Sequence, residues 1–230
     1  ELKLKAVSFA FDGLYQNSEY LLLLTGEGPQ RASEKTSAVL GAYYEQITHV
    51  INLGVCATLS EHIKVNDIVS IRTIYRESDQ KMEFKSFTTE DTLASTDLIT
   101  SHQRVLDESY AKFLQSFAPL VDRELWAIAS SAQNFHIPCY SYKLISDNAL
   151  IKNKEICQVV KDMAEEFSDK LFQFFNALSP VNEKAEKEFI IFSNKAFYFT
   201  VSQKRKYITI IKGLLIRNES ESSILKQVDM

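Results

Sequence analysis

Glycine and proline are scarce in this chain, 6 and 4 among 230 residues. Collagen-like and low-complexity disordered sequences need both in quantity, so neither class fits. Cysteine is scarcer still. Cys56, Cys139 and Cys157 are odd in number and scattered through apolar-rich segments. That pattern suits reduced thiols in a cytoplasm better than a disulfide scaffold. Long apolar runs are missing: stretches such as Leu21–Leu24 fall far short of the roughly 20 residues a membrane helix requires. No charged stretch followed by an apolar one marks a secretory signal. Positive charge is not in surplus either. Against 30 acidic residues the 26 basic ones leave a net charge of -4, which supplies no field for gathering the phosphates of a nucleic acid. His49, His62, His102 and His136 offer no pair at helical ligand spacing and no CxxC to join, so no metal or other cofactor is expected.

What remains, 45% hydrophobic and 24% charged, suits one well-filled core. Lys5 to Phe11 alternates apolar and polar residues, and Glu19 to Leu24 is a second extended run. With Asp12-Gly13 and Asn17-Ser18 between them, a β-hairpin or two adjacent strands is expected. Thr25-Gly26-Glu27-Gly28-Pro29 then opens a helix whose apolar side is Ala32, Thr36, Val39, Leu40 and Tyr43. His49 to Leu53 reads as a buried strand, followed by small residues around Cys56 as a turn. Val65-Asn66-Asp67 reads as a turn delivering another strand, since Asn tolerates the left-handed conformation.

Arg76 to Asp97 is polar and patternless and predicts a long excursion. Leu98 to Thr100 predicts a short strand, Glu108 to Phe117 a helix, and the residues after Pro119 a brief strand to Asp122. A helix through Trp126, Ala129, Ala132 and Gln133 comes next, then a strand from Ile137 to Ile145 ending in Ser146-Asp147-Asn148. Ile151 to Leu178 predicts one long amphipathic helix, and Thr200 or Ser202 a cap for a last helix near the basic cluster Lys204, Arg205 and Lys206. Strands alternating with helices imply an α/β layered domain with the tail as an appendage.

In open α/β sheets, ligands gather at the carboxyl ends of strands. Gly26-Glu27-Gly28, Gly54-Val55-Cys56-Ala57 and Ser146-Asp147-Asn148 stand at such ends, and Asp122-Arg123-Glu124 opens a helix. Each also has a structural reading: a tight glycine turn, an N-cap for Asp147, a first-turn carboxylate for Glu124 with Arg123 as its surface partner, and a packing role for Cys56.

Taken in order, Thr25-Gly26-Glu27-Gly28, Val50-Ile51-Asn52-Leu53-Gly54-Val55-Cys56-Ala57 and Val65-Asn66-Asp67-Ile68-Val69 resemble the nucleoside phosphorylase and nucleosidase superfamily. Val121-Asp122-Arg123-Glu124 with Ala127-Ile128-Ala129, then Ile137-Pro138, then Ile145-Ser146-Asp147-Asn148-Ala149 continue the resemblance over about residues 13 to 175. The family pattern there reads VDMExxAxA, IPF and RxISDxA. The likeness extends to the methylthioadenosine/S-adenosylhomocysteine nucleosidases and to a divergent bacterial branch with a similar aspartate-arginine-glutamate motif. That branch shares the lysine before ISD and a tail like Phe199-Thr200-Val201-Ser202-Gln203.

The resemblance implies a three-layer αβα sandwich with a central mixed sheet over residues 1–178 and a helical C-terminal extension over 179–230. It implies cleavage of the N-glycosidic bond of a purine nucleoside or thio-nucleoside by a cytoplasmic homodimer. Asp147 takes the general-acid position at purine N7, and Glu124 the place that receives the ribose 2′ and 3′ hydroxyls. Arg123, Gly54, Val55, Val105 and Ser146 fall at substrate-contacting positions, and Gly26, Gly28 and Arg31 at the pocket for phosphate or water. Arg104 is a further candidate phosphate contact.

The departures bear on the chemistry. Arg123 stands where the family has Met, so its charge either holds Glu124 ionised or meets an anionic substrate. Val55 replaces a Ser or Thr, and Ala57 and Thr58 replace glycines, which weakens phosphorolysis as the alternative to hydrolysis. Val105 replaces a base-stacking aromatic. The family's water-activating Glu sits on a strand that would precede Glu1, so the chain is expected either to continue upstream of that residue or to lack that group. In the latter case a nucleoside-binding homologue without catalysis is the rival reading.

Overall fold

The computed structural model describes residues 3–78, 81–86, 94–150 and 156–177. The chain starts with a small antiparallel sheet of β1 (Lys5–Ala6), β2 (Leu14–Gln16) and β3 (Leu21–Leu23), in that order. The expected pair of strands is therefore three, because Leu14–Gln16 forms a strand of its own between the two turn signals. Asn17 makes the β2–β3 turn: its Oδ1 accepts the backbone N–H groups of Glu19 and Tyr20 at 2.9 and 2.8 Å, the Asx geometry that favours Asn there. Gly13, at φ 95°, lets the chain pass Leu24 closely; a Cβ at Gly13 would meet that of Leu24 at 3.1 Å.

Helix α1 (Pro29–Ala42) begins as expected, with Pro29 in its first turn and Gly28 as N-cap. Proline suits that position because the first-turn N–H groups have no helical partner. Ala32, Thr36, Val39 and Leu40 are buried. Ala32 meets Ala127 and Ile128, and Leu40 meets Ala132 and Ile137, so α1 packs on α3 (Leu125–Asn134).

The main sheet is β4 (Val50–Thr58), β5 (Ile68–Ser78), β6 (Lys81–Ser86), β7 (Ser95–Thr100), β8 (Leu120–Asp122) and β9 (Cys139–Asn148), with α2 (Glu108–Gln115) between β7 and β8. Its order is β6-β5-β7-β8-β4-β9, and β9 also pairs with β5. That extra pairing curls the sheet until it closes on itself. The ladder is mixed: β5–β7, β7–β8 and β4–β9 are parallel, whereas β4–β8, β5–β6 and β5–β9 are antiparallel. Asn66 adopts φ 75° immediately before β5, the left-handed turn its sequence predicts. Asp107 caps α2 by accepting the N–H of Tyr110 at 2.9 Å.

Three elements differ from expectation. Strand β4 runs on through Gly54, Val55 and Cys56, so Cys56 lies in a strand, 3% exposed, and not in a turn. The parallel partner β9 matches it residue by residue from Val50↔Cys139 onwards, and this non-local pairing extends the strand. The excursion after Arg76 contains a hairpin: β5 turns into β6, pairing Tyr75 with Phe84 and Arg76 with Glu83. Arg76 and Lys85 both lie against the Trp126 ring, at 4.7 and 4.8 Å from its centre, which ties the hairpin to α3. The long helix is two, α4 (Ile156–Asp162) and α5 (Ala164–Ala177), separated at Met163. The start and last residue of that expected helix, and the expected cap, last helix and basic cluster of the tail, lie outside the described residues.

The core has two principal parts. Ile71, Ile74, Leu98, Leu120, Leu125, Trp126 and Ile145 fill one, between the sheet and α3. Leu59, Ile99, Ala111, Leu114 and Val121 fill the other, beneath α2. Each fully buried Leu or Ile contributes roughly 1.5–3 kcal/mol of transfer free energy. Helices α4 and α5 pack on β9 and β4, with Phe174 against Tyr142 at 5.1 Å between ring centres. The result is the expected mixed-sheet α/β core with helices on both faces.

Candidate functional site

β8 and β9 both end at acidic residues, and the structure explains how each is held. At the end of β8, Asp122 is buried and forms an ion pair with Lys143 of β9 at 2.7 Å; the two side chains are 1% and 3% exposed. Asp122 also accepts the Thr100 hydroxyl at 2.8 Å and the Leu125 N–H at 3.1 Å. The Thr100 oxygen in turn accepts the Trp126 N–H at 3.1 Å. The free N–H groups that open α3 are thus met from the strand ends, and not by the residue at the cap. Burial works against the Lys143 charge, but the Asp122 carboxylate overrides it and holds the ammonium above its ordinary pKa.

The N-cap of α3 is Glu124, which makes no capping bond of its own. Its carboxylate turns away and accepts the backbone N–H of Gly28 through Oε1 at 2.7 Å. Burial raises its pKa, the Gly28 bond opposing that shift. One oxygen is thereby fixed, while Oε2 makes no recorded hydrogen bond, an arrangement suited to receiving hydroxyl donors.

Asp147 owes its orientation to an irregularity in β9. Cys56 pairs with Ile145 and Ala57 with Asp147, so Ser146 is an extra residue without a partner on β4. Such a bulge re-aims the side chains beside it. The Ser146 oxygen lies 3.1 Å from the Cys56 carbonyl and 2.5 Å from Asp147 Oδ1. A hydroxyl has one proton and both neighbours are acceptors, so all three groups are satisfied together only when Asp147 is protonated. Burial pushes the Asp147 pKa up, with the Ser146 bond opposing it. The site therefore favours the acid form of this residue.

The sequence-predicted residues do not all converge. Glu124 and Gly28 meet directly, and Ser146 supports Asp147. Arg123 reaches neither Glu124 nor a surface position: it pairs with Glu27 at 2.7 Å. Arg104, considered above as a phosphate contact, grips the same Glu27 through Nε and Nη2 at 2.8 and 2.6 Å. Gly54 lies in β4 opposite Lys143, and a Cβ there would stand 3.5 Å from the ammonium. Val55 is its neighbour in the same strand. Val105 packs against the core cluster beneath α2, which Ala57 and Ala149 also touch. Gly26 and Arg31 face a separate open cleft of about 460 Å³ with Phe11 and Lys35, whereas Gly28 directs its N–H to Glu124. Among the described residues no cluster of His, Cys, Asp or Glu is arranged to hold a metal.

Sequence reasoning missed two features here. The Asp122–Lys143 pair had a signal, since a lysine inside Tyr142-Lys143-Leu144-Ile145 is buried by its neighbours and requires an anion. The union of Glu27 with Arg104 and Arg123 had none, the partners being 77 and 96 residues away.

No protein-family model matches the sequence, and no curated protein matches it. Solved structures do match the fold. The 5′-methylthioadenosine/S-adenosylhomocysteine nucleosidase of Helicobacter pylori, solved with 5′-methylthioadenosine in its active site, superposes with a TM-score of 0.66 at 15% identity, over 76% of this chain and 88% of that one. A futalosine hydrolase mutant of the same organism gives 0.64 at 16% identity, over 75% and 87%. The corresponding nucleosidase of S. pneumoniae, solved with a transition-state inhibitor, gives 0.63 at 16%, over 74% and 86%. The chain thus has the fold of the nucleoside phosphorylase and nucleosidase superfamily.

Proposed function

We propose that this chain hydrolyses the N-glycosidic bond of a purine nucleoside or thio-nucleoside. The observation that carries the reading is the pair of partly buried carboxyls at neighbouring strand ends, one pinned by a backbone N–H and one favouring its proton. As the C1′–N bond breaks, negative charge gathers on the base and the sugar becomes oxocarbenium-like. Protonated Asp147 hydrogen-bonds or protonates the departing base, an interaction strongest in the transition state. Glu124, held by Gly28, takes the ribose hydroxyls and keeps the sugar in register. Water then supplies the new bond at C1′.

Phosphorolysis has less support: Val55 brings no hydroxyl, and Arg104 is engaged with Glu27. The solved neighbours are named as hydrolases or nucleosidases, which supports the same choice. The full reading places the enzyme in the cytoplasm as a homodimer, with the free buried thiol of Cys56 in keeping with that compartment.

A panel of nucleosides, with and without phosphate, tests this by chromatographic detection of the released base. Release independent of phosphate and lost in Asp147→Asn is expected. A wild type as inactive as Asp147→Asn on the whole panel would leave a binding protein in place of an enzyme. A rate that requires phosphate would make it a phosphorylase.

A further inference from the structure

The glycine loop that supplies the Gly28 N–H also presents a carboxylate to two arginines. Glu27 stands between Gly26 at φ 77° and Gly28 at φ 99°, a backbone that only glycine adopts freely. Its Oε1 accepts from Arg104 Nε at 2.8 Å and from Arg123 Nη1 at 2.7 Å, and its Oε2 from Arg104 Nη2 at 2.6 Å. This is the forked grip by which guanidinium groups recognise carboxylates and phosphates.

Two features set it apart from an ordinary surface pair. Arg123 is only 27% exposed, and its Nε is buried without a hydrogen-bond partner. The group also carries two positive charges against one negative, immediately beside Glu124. The hydrogen bond from Arg104, reinforced by both guanidinium charges, holds Glu27 below the usual carboxylate range, so Glu27 is an anion there.

We infer that Arg104 and Arg123 form an anion subsite, occupied in this structure by Glu27 as a place-holder, and that the substrate is a nucleoside carrying a carboxylate or phosphate at its 5′ end. This rests on the assignment of Glu124 to the sugar. With the base at Asp147 and the 2′ and 3′ hydroxyls at Glu124, an anion on those hydroxyls would face a carboxylate. The 5′ position is the one left to meet the arginines. Binding exchanges one carboxylate for another anion on the same guanidinium donors, and Glu27 swings out on its two glycines.

Calorimetry with adenosine, adenosine 5′-monophosphate and adenosine-5′-carboxylic acid tests the inference on the full chain. At least one anionic probe should bind about tenfold or more tightly than adenosine, the size expected of charge-assisted hydrogen bonds. The better of the two names the class of anion. Arg104→Met should lower that preference about tenfold. Glu27→Gln, which removes the competing anion, should raise it, whereas a merely structural Glu27 would weaken all three probes alike. Equal affinity for the three probes, no binding of either anion, or a Glu27→Gln preference that fails to rise would overturn the inference. Base release measured in parallel separates the two readings. Adenine released from adenosine without any anion preference sinks the subsite alone, and anion preference without release from any probe sinks the hydrolase alone.

Discussion

The Gly28 N–H donates to Glu124 Oε1 at 2.7 Å across 96 residues of sequence, joining the glycine loop that opens α1 to the residue that caps α3. The bond orients the carboxylate without consuming it, since its second oxygen remains for a ligand. Glu124→Gln keeps the shape and the Gly28 contact but loses the charge. The catalytic efficiency kcat/KM on a ribonucleoside should fall about 10–100-fold, the range for hydrogen bonds to a charged acceptor. On a 2′,3′-dideoxynucleoside, variant and wild type should differ little. An equal loss on both substrates would show that Glu124 does not hold the hydroxyls.

Asp147 acts in its protonated form, and burial extends the pH range over which it keeps the proton. The rate of base release should therefore be sustained on the acid side and fall as pH rises through the raised pKa. Asp147→Asn should remove that alkaline limb and lower kcat by about 10²–10⁴-fold, the usual contribution of a positioned general acid. A pH–rate profile of unchanged shape in the variant would assign the limb to another group.

The order of elements is legible because its signals are local. Pro29 after Gly28, Asn66 before β5 and Asp107 ahead of α2 each act within a few residues of themselves. Strand β6 is not legible, because its charged, mostly exposed residues become a strand only by pairing with β5 and lying near Trp126. The break at Met163 falls inside a continuous helical periodicity and leaves no mark on it. At the site, Asp147 and Glu124 can be picked out by motif. The bulge at Ser146, the Lys143 partner of Asp122 and the grip on Glu27 all depend on which strands and loops become neighbours, which no window of sequence contains.

Asp122 and Lys143 form a buried pair whose members rely on each other. Lys143→Met leaves Asp122 charged and without its cation, and should cost about 3–5 kcal/mol in denaturant unfolding. Asp122→Asn combined with Lys143→Met removes both charges while keeping an acceptor for Thr100 and Leu125, so it should recover part of that loss. A double variant as unstable as the sum of the singles would show that the pair is not coupled.

Cys56 lies in β4, and burial pushes its thiol pKa far above the ordinary value. Alkylation needs the thiolate and access. Native protein treated with iodoacetamide near neutral pH should keep Cys56 unmodified, and unfolding should expose it, as peptide mass spectrometry can read. Rapid native labelling would return Cys56 to the exposed turn that the sequence first suggested.

Glu124 and Asp147 should make the protein less stable as it becomes better equipped for catalysis. Burial raises both pKa values, so each group binds its proton more tightly folded than unfolded. Such a group contributes stability that is complete below its unfolded pKa and is lost as pH rises through the folded one. The wild type should therefore lose stability from the ordinary carboxylate range upward. Glu124→Gln and Asp147→Asn, with no proton to release, should each escape their share of that loss. At neutral pH both variants should melt a few degrees above wild type, roughly the shift that 1 kcal/mol produces, while releasing base more slowly. Melting curves from about pH 4 to 8 decide the matter. Variants whose stability falls with pH as steeply as that of the wild type would show that these two carboxyls are as well solvated folded as unfolded.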